Sequence, residues 1–326
     1  MKPAPFEYSR PADVDEACAL LAADDGARLI AGGQTLVPLM AMRLARPSRL
    51  VDIARIAGLA YVHEESAVRP RASGDPGATG EAALDSRLRG NDRGRGSSQN
   101  GTIAIGATTR QHVVEHDPLI RAKLPLLARV MPCVGHGATR ARGTVGGSLA
   151  NGDPAAEIVL VAATLGATLC WREAGNATET AASDFFLGPM VTALPLAACL
   201  TEARFPVWSE QRVGVGFHEI NARQSDFAFV SAVAQIALDG EGRCTRAAIG
   251  IGAATAAPLR LDAVAEALVG QRFDEAKSRE AVRAALADVE TLADLHASAE
   301  YRRRVAATLA VRAIADAFRD AEARRA

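Results

Sequence analysis

The sequence predicts an α+β protein with more than one domain. Its 326 residues are enough for two or three domains with substantial cores. Helical and strand-like patterns alternate over the first two thirds, and the last third begins with strand-like segments and ends in amphipathic helices. Two glycine-centred loops, Ala31–Thr35 and Gly143–Ser148, each lie between a short apolar stretch and a segment of helical spacing. We call them the first loop and the second loop.

The first 56 residues are predicted to form a small α/β unit. Asp and Glu residues begin a helix near Asp13, and an Asp-Gly pair ends it. The remaining predicted elements are a strand at Ala27–Ala31, a helix at Leu36–Leu44 and a strand at Leu50–Ile53. The first loop follows a strand, at the edge where α/β sheets usually bind ligands.

Residues 57–208 are predicted to form a second unit. Its predicted elements are a hairpin of 59–62 with 102–106, helices at Leu119–Val130 and from Ala155, and strands at Ala167–Trp171 and Leu200–Phe205. Between the hairpin strands, residues 67–98 are rich in Arg, Gly, Ser, Asp and Ala and have no apolar period. We expect this stretch to be a disordered insertion.

A polar link at 208–212 leads to a third unit, residues 213–326. Asp226–Leu238 and Ala247–Ala253 are predicted as strands or mixtures of strand and helix. Helices are predicted at Ala263–Val269, at Glu275–Leu286 and from about Ser298 to Arg319.

Composition and charge exclude several classes of partner. Hydrophobic residues make up 49% of the chain, charged residues 23%, and the net charge is −1, so neither nucleic acid nor an anionic membrane is favoured. Met1–Pro11 does not resemble a signal peptide. The longest apolar run, about residues 158–171, is shorter than the roughly 20 residues of a membrane helix. We therefore expect a cytoplasmic protein with no membrane span.

The cysteines are scattered and form no C-x-x-C pair. They are Cys18, Cys133, Cys170, Cys199 and Cys244. Such spacing is not typical of zinc or iron–sulfur ligation, and an odd number of cysteines is expected to stay reduced in the cytoplasm. The sequence therefore predicts no metal site in this chain.

The two glycine loops indicate a bound pyrophosphate. Glycine permits positive φ, and without a Cβ it lets backbone N–H groups approach an oxyanion closely. Neither loop contains the lysine of a P-loop or reads G-x-G-x-x-G. A pyrophosphate bound mainly by backbone dipoles, such as that of FAD, fits this pattern.

Longer motifs contain both loops. Ala31–Met40 matches A-G-G-[HQ]-[ST]-L-x-P-x-M, and Val134–Ser148 matches I-G-H-x-x-I-R-x-R-G-T-[IV]-G-G-[NS], continuing to Glu157. Further matches lie at Ala107–Thr109, Phe185–Leu194, Arg223–Ala228 and Ser298–Arg302. Together, these segments resemble the FAD-binding subunit of the molybdenum hydroxylases, which include the medium subunits of bacterial carbon monoxide dehydrogenase and of xanthine, nicotine and aldehyde dehydrogenases.

The resemblance implies a two-subdomain FAD-binding fold of the PCMH/vanillyl-alcohol-oxidase type, followed by a C-terminal α/β domain of sheet and helices. Two departures from the family pattern stand out. Pro195–Leu200 differs in a loop near the flavin ring. Ala222 and Ser225 differ in the Arg-Arg-x-Gly-Asp-[FY]-Ala motif, where we expect an effect on domain packing rather than on flavin contact. The insertion has no cysteines, so the extra iron–sulfur cluster of some relatives is not expected.

The resemblance also implies FAD-binding positions and no catalytic residue. The implied residues are Ala31, Gly32, Gly33, Gln34, Thr35, Leu36, Thr108, Thr109, Gly143, Thr144, Gly146, Gly147, Ser148, Asn151, Asp153, Glu157 and Leu200. The first loop would hold the pyrophosphate, and the second loop would approach it and the ribityl chain from the other side. Asp153 and Glu157 would accept hydrogen bonds from hydroxyl or flavin N–H groups.

Several residues also have plain structural interpretations. Asp153 before Pro154 is typical of a helix N-cap, and Leu200 fits an ordinary core position equally well. His136 is expected to orient its loop. Arg302–Arg304 is expected to be a solvated helix face.

The function implied by the resemblance is that of a flavoprotein electron-transfer subunit. Its partners would be a small [2Fe-2S] subunit and a large molybdenum-cofactor subunit, in a dimer of heterotrimers. The FAD would pass electrons from the clusters to an external acceptor. Two alternatives stay open, a free-standing flavin oxidoreductase of the same fold and a non-catalytic assembly subunit that has lost FAD.

Overall fold

The N-terminal part of the chain contains a three-stranded parallel sheet. The computed structural model describes residues 2–65 and 101–324, so the predicted insertion at 67–98 lies outside the described residues. The strands and helices are β1 (Glu7–Ser9), α1 (Val14–Ala22), β2 (Arg28–Ile30), α2 (Leu36–Ala41) and β3 (Arg49–Asp52). The strand order is β1-β3-β2. β1 was not predicted.

Helix α1 forms where the sequence predicts it. The Asp13 side chain accepts a hydrogen bond from the Glu16 amide at 2.8 Å and so caps the helix. Ala17 and Leu21 are buried on the inner face of α1 and share a core cluster with Val51 of β3. The same cluster includes Cys199 of the following sheet, so the cores of the two units meet.

The second unit is a five-stranded antiparallel sheet covered by short helices. Its elements are β4 (Val62–Glu65), β5 (Thr102–Gly106), α3 (Gln111–His116), α4 (Pro118–Lys123), α5 (Pro125–Val130), a 3₁₀ turn (Met131–Cys133), α6 (Gly137–Arg142), α7 (Val145–Asn151), α8 (Glu157–Leu165), β6 (Thr168–Glu173), β7 (Asn176–Ala181), α9 (Ala182–Phe185), β8 (Phe186–Gly188), β9 (Val191–Thr192) and β10 (Cys199–Pro206). The strand order is β4-β5-β10-β6-β7. The predicted antiparallel pairing with β5 is confirmed, but its first strand covers Val62–Glu65 rather than 59–62.

This unit differs from the sequence prediction in several details. The helix expected over Leu119–Val130 is wrong as one element, because it divides into α4 and α5 at Pro125, which has no N–H to donate. β7 was not predicted, since its six residues are almost all exposed. α8 begins at Glu157 rather than Ala155, and all nine of its residues are buried.

The C-terminal unit is a four-stranded antiparallel sheet with three helices. Its elements are β11 (Val213–Asn221), β12 (Ala228–Leu238), β13 (Cys244–Gly252), β14 (Leu259–Arg260), α10 (Asp262–Leu268), α11 (Glu275–Leu286) and α12 (Ala299–Ala323). The strand order is β11-β12-β13-β14. β12 and β13, which the sequence left between strand and helix, are strands. α12 packs across β11 and β12, and α8 packs against β13.

Two polar segments are less exposed than predicted. Trp208, at the start of the predicted polar link, is buried, and the Arg246 guanidinium lies 4.2 Å from the centroid of its indole. The expectation that Arg302 belongs to a solvated face is wrong. Its side chain is buried and donates hydrogen bonds to the carbonyl oxygens of Phe229 and Ala253 and to Asp294.

Candidate functional site

A cleft of about 590 Å³ lies where the first and second loops meet. Its wall includes the first loop, the second loop, the start of α8 and a segment before β12. The loops are in direct contact, because a Cβ on Gly32 would lie 2.5 Å from the carbonyl oxygen of Arg142 and 2.8 Å from the Cα of Gly143. Only glycine permits this approach of two backbones.

The first loop presents unpaired backbone donors to the cleft. Within residues 2–65 and 101–324, the amide N–H groups of Gly32, Gly33, Gln34 and Thr35 donate to no acceptor, and all four residues line the cleft. Gly33 has φ +71°, in the region that glycine adopts without strain. Successive free N–H groups in such a turn form a site for an anion.

Backbone amides of the second loop are already bonded to other groups of the chain. The Gly146 amide donates to the Ala107 carbonyl at 2.9 Å, and the Gly147 amide donates to the Thr144 hydroxyl at 3.0 Å. None of the glycines in this loop has positive φ. The expectation that both loops offer free amides and positive φ is therefore correct for the first loop and wrong for the second, whose glycines allow close packing.

The other predicted positions of this wall also lie at the cleft. Ala31, Leu36, Gly143, Thr144, Ser148 and Asn151 line it. The Ser148 hydroxyl accepts a hydrogen bond from Gln111 Nε2 at 2.9 Å. The Gln34 side chain turns back on its own loop, since its Nε2 donates to the Gly32 carbonyl at 3.1 Å.

An acidic pair lies at the start of α8. Asp153 and Glu157 both line the cleft. Asp153 is not the N-cap of α8, because the helix begins at Glu157, but its carboxylate accepts from the Ala155 amide at 2.9 Å. Burial raises the pKa of Glu157 to about 7, and the carboxylates of Glu219 and Asp153 also raise it.

Glu219 on β11 does not line the cleft, but its carboxylate acts on Glu157. Burial raises the pKa of its carboxyl group to about 7, against the effect of a hydrogen bond from Asn221. Its Oε2 is buried and has no hydrogen-bond partner within the described part of the chain. A carboxyl group whose pKa burial raises in this way holds a proton near neutral pH more readily than an exposed one.

Of three further residues implied at the flavin, Leu200 lines the cleft and Thr108 and Thr109 do not. Leu200 is buried, as a core position is, and it also lines the cleft. Thr108 and Thr109 are buried beside the cleft but are not among the residues that line it. The Thr109 hydroxyl donates to the Tyr61 carbonyl and accepts from the Tyr61 amide, both at 2.9 Å. Their role at the flavin stays a prediction.

The cleft also contains residues that the sequence interpretation missed. Ser225, Asp226 and Phe227 line it. The expectation that this motif concerns domain packing more than flavin contact stays a prediction. Gln111 lines it as well, and its Oε1 is buried without a partner in the described residues. The sequence signal for Ser225, Asp226 and Phe227 was the agreement of Arg223–Ala228 with the family motif.

The expectation that His136 orients its loop is wrong. His136 is exposed, and its side chain makes no hydrogen bond within the described residues. Arg140 holds this loop instead, because its Nη1 donates to the carbonyl oxygens of Val134 and Gly135 at 3.1 and 2.8 Å. Both of those residues line the cleft.

Comparison with known proteins identifies the family. The model of the FAD-binding domain in molybdopterin dehydrogenase matches residues 4–69 and 95–208. The chain belongs to this family. The model of the carbon monoxide dehydrogenase flavoprotein C-terminal domain matches residues 216–317. The cofactor of this FAD-binding fold is FAD, as the sequence predicted.

Relatives of the family match the whole length of the chain. The subunit alpha of the 6-hydroxypseudooxynicotine dehydrogenase complex of Paenarthrobacter nicotinovorans is 30% identical over 98% of this chain and 96% of its own. The carbon monoxide dehydrogenase medium chain of Afipia carboxidovorans is 30% identical over 96% of this chain and 97% of its own. The chain is therefore a medium FAD subunit of the molybdenum hydroxylase type.

Solved structures show the same fold. Quinoline 2-oxidoreductase from Pseudomonas putida has a chain with a TM-score of 0.81 and 31% identity, covering 98% of this chain and 99% of that chain. Reconstituted carbon monoxide dehydrogenase from Oligotropha carboxidovorans has one with a TM-score of 0.84 and 29% identity, covering 98% and 100%. Among the described residues, no helix has the length and apolar character needed to cross a membrane.

Proposed function

We propose that this chain is the FAD-binding electron-transfer subunit of a cytoplasmic, multi-subunit molybdenum-containing dehydrogenase. Its partners would be a small [2Fe-2S] subunit and a large molybdenum-cofactor subunit, assembled as a dimer of heterotrimers. The observation that carries the proposal is the row of four free amides in the first loop, at a cleft formed by two family motifs. When bound, FAD supplies the redox chemistry that links one-electron donors to an external acceptor.

The first loop suits the pyrophosphate of FAD. Arg28 is the one basic residue among the described residues that line the cleft, and its Nη1 already donates to the Asp25 and Ala27 carbonyls. The phosphate charge would therefore be stabilised mainly by the amides of Gly32, Gly33 and neighbouring residues. Apolar residues such as Leu200 in the wall would keep water from the rings.

The acidic pair, Asp153 and Glu157, would contact the polar parts of the cofactor. Their carboxylate oxygens would accept hydrogen bonds from its hydroxyl or N–H groups. Because burial raises the pKa of Glu157 to about 7, its carboxyl group can carry a proton at Oε1 or Oε2 near neutral pH and so donate as well as accept. None of these roles requires a nucleophile in this chain.

Affinity purification through a tag on this chain tests the subunit role. We expect two further chains to copurify, with iron, sulfide and molybdenum, and we expect substrate to bleach the flavin absorption of that complex. The isolated chain should hold FAD but should not oxidise aldehydes or N-heterocycles with an artificial acceptor. Hydroxylation by the isolated chain, or a purified native protein that contains neither iron nor molybdenum, would contradict the proposal.

A further inference from the structure

Three metal-ligating side chains lie together on α3, outside the residues that line the FAD cleft. His112, Glu115 and His116 are spaced i, i+3 and i+4, which places them on one face of a helix. One ligand atom from each lies within 4.8 Å of the others, and the two imidazole centroids are 4.4 Å apart. The role of an FAD subunit makes no use of this cluster.

Glu115 is fixed at the centre of the cluster. Its Oε2 lies 4.0 Å from His112 Nδ1 and 3.9 Å from His116 Nδ1. Arg140 Nε donates to the same oxygen at 2.7 Å, and Arg140 Nη2 donates to Oε1 at 3.1 Å. A hydrogen-bonded carboxylate of this kind is oriented in advance for a metal, as ligating carboxylates commonly are.

The two histidines are free to complete a coordination sphere. Their side chains are 60% and 55% exposed. His116 Nδ1 lies 2.9 Å from the His112 carbonyl oxygen. When the His116 ring turns away from this oxygen and carries its proton on Nε2, the Nδ1 lone pair becomes available to a metal ion.

The distances are close to those of a zinc site. Bonds of about 2.1 Å to nitrogen and oxygen at a tetrahedral angle place neighbouring ligand atoms roughly 3.4 Å apart. The observed separations of 3.9 and 4.0 Å exceed this by about half an ångström, which small rotations of two half-exposed imidazoles can close.

We propose that His112, Glu115 and His116 form a surface site for one divalent transition-metal ion of the zinc class. Two imidazoles and one carboxylate favour Zn²⁺, Co²⁺ or Ni²⁺ over Mg²⁺ or Ca²⁺. Water completes the sphere on the exposed side. The positive charge of Arg140 beside the carboxylate opposes the cation, so the site is weaker than a four-ligand structural zinc site.

The site was not found from the sequence, which predicted no metal, because histidines were considered only as companions of the cysteines. The pattern H-x-x-E-H was the available signal, and it also occurs in zinc peptidases. In those enzymes the glutamate acts as a base. Arg140 donates one hydrogen bond to each oxygen of Glu115, which weakens the carboxylate as a base but leaves a lone pair on Oε2 for a metal ion. The cluster therefore supports metal binding and not peptide hydrolysis.

Calorimetric titration of the FAD-loaded protein with zinc chloride, after treatment with a chelator and dialysis, tests the site. We expect one saturable Zn²⁺ site per chain. His112→Ala and His116→Ala should each weaken binding by at least about tenfold. His63→Ala is the matched control, because His63 is half exposed and 3.6 Å from Glu65 but belongs to no three-ligand group among the described residues.

Because both histidines are exposed, we expect the His112→Ala and His116→Ala proteins to fold. Circular dichroism and the flavin content of each variant check this. Absence of saturable zinc binding would overturn the proposal. So would unchanged affinity in both histidine variants, or an equal loss of affinity in His63→Ala.

Discussion

Replacing Glu157 with glutamine tests the electrostatics of the cleft. The Glu157 side chain lies in a helix that is otherwise apolar, and the residue is only 8% exposed. Burial is the main cause that raises its pKa from 4.5 to about 7. At about 1.4 kcal/mol for each unit of pKa, the difference corresponds to on the order of 3 kcal/mol between the protonated and charged forms.

The sign follows from proton linkage. The folded chain binds the Glu157 proton more tightly than the unfolded chain does, so this contribution to stability is fully present below pH 4.5 and is lost as the pH rises through about 7. Glutamine resembles the protonated acid. Glu157→Gln should therefore match the wild type near pH 4.5 and exceed its free energy of unfolding by up to about 3 kcal/mol at pH 8.

Urea unfolding of the FAD-free protein at a series of pH values measures this difference. Glu280→Gln is the control, because Glu280 is an exposed carboxylate on α11 without an ion pair among the described residues. Because Glu219 also raises the pKa of Glu157, Glu219→Gln should lower the gain from Glu157→Gln in the double variant. A pH-independent difference, or a glutamine variant that is less stable than the wild type at pH 8, would refute the reasoning.

Three further substitutions test the cleft and the C-terminal unit. Gly32→Ala would place its Cβ 2.5 Å from the Arg142 carbonyl oxygen. We therefore expect urea unfolding to show about 1–3 kcal/mol of destabilisation and gel filtration to show loss of FAD. Full retention of FAD by this variant would contradict the close contact of the two loops. Arg302→Met removes the buried cation that donates to two carbonyls and Asp294, and we expect a loss of about 3 kcal/mol in urea unfolding with unchanged flavin content. Phe227 lines the cleft and is 68% exposed. Phe227→Ser should therefore weaken FAD binding in a fluorescence titration while changing the free energy of unfolding by less than about 0.5 kcal/mol. An affinity for FAD equal to that of the wild type would exclude a contact between Phe227 and FAD.

Elements with a strong local pattern could be predicted from the sequence. α1 and α11 combine an acidic cap with an amphipathic face, and both are found close to their predicted bounds. β11 was missed because two glycines interrupt its apolar pattern. The structure explains them, since a Cβ on Gly214 or Gly216 would lie within about 2.1 Å of α12 backbone atoms. This requirement arises from tertiary packing and leaves no local signal.

In the site, too, some features have a local sequence signal and others depend on tertiary packing. The two loops were located from short motifs, although contacts with distant segments require some of their glycines, as Arg142 does at Gly32. The use of their amides was predictable only in part. Gly147 donates to the Thr144 hydroxyl three residues earlier, a local helix cap, whereas Gly146 donates to Ala107, which only the folded chain brings into position. Phe227, from another unit of the chain, enters the wall for the same reason.

The flavin-to-protein ratio of two glycine variants tests cofactor binding by the first loop most directly. Gly33 (φ +71°) lines the cleft, whereas Gly175 (φ +82°) lies in the turn between β6 and β7 with nothing within 4 Å of an added Cβ. Valine strains the backbone at both positions, and at Gly33 its Cβ also lies 3.1 Å from Val37 Cγ2. We predict one FAD per chain in the wild type and in Gly175→Val, and a folded Gly33→Val protein without FAD. Stoichiometric FAD in Gly33→Val, or a folded wild-type chain that cannot be loaded with FAD, would contradict the account.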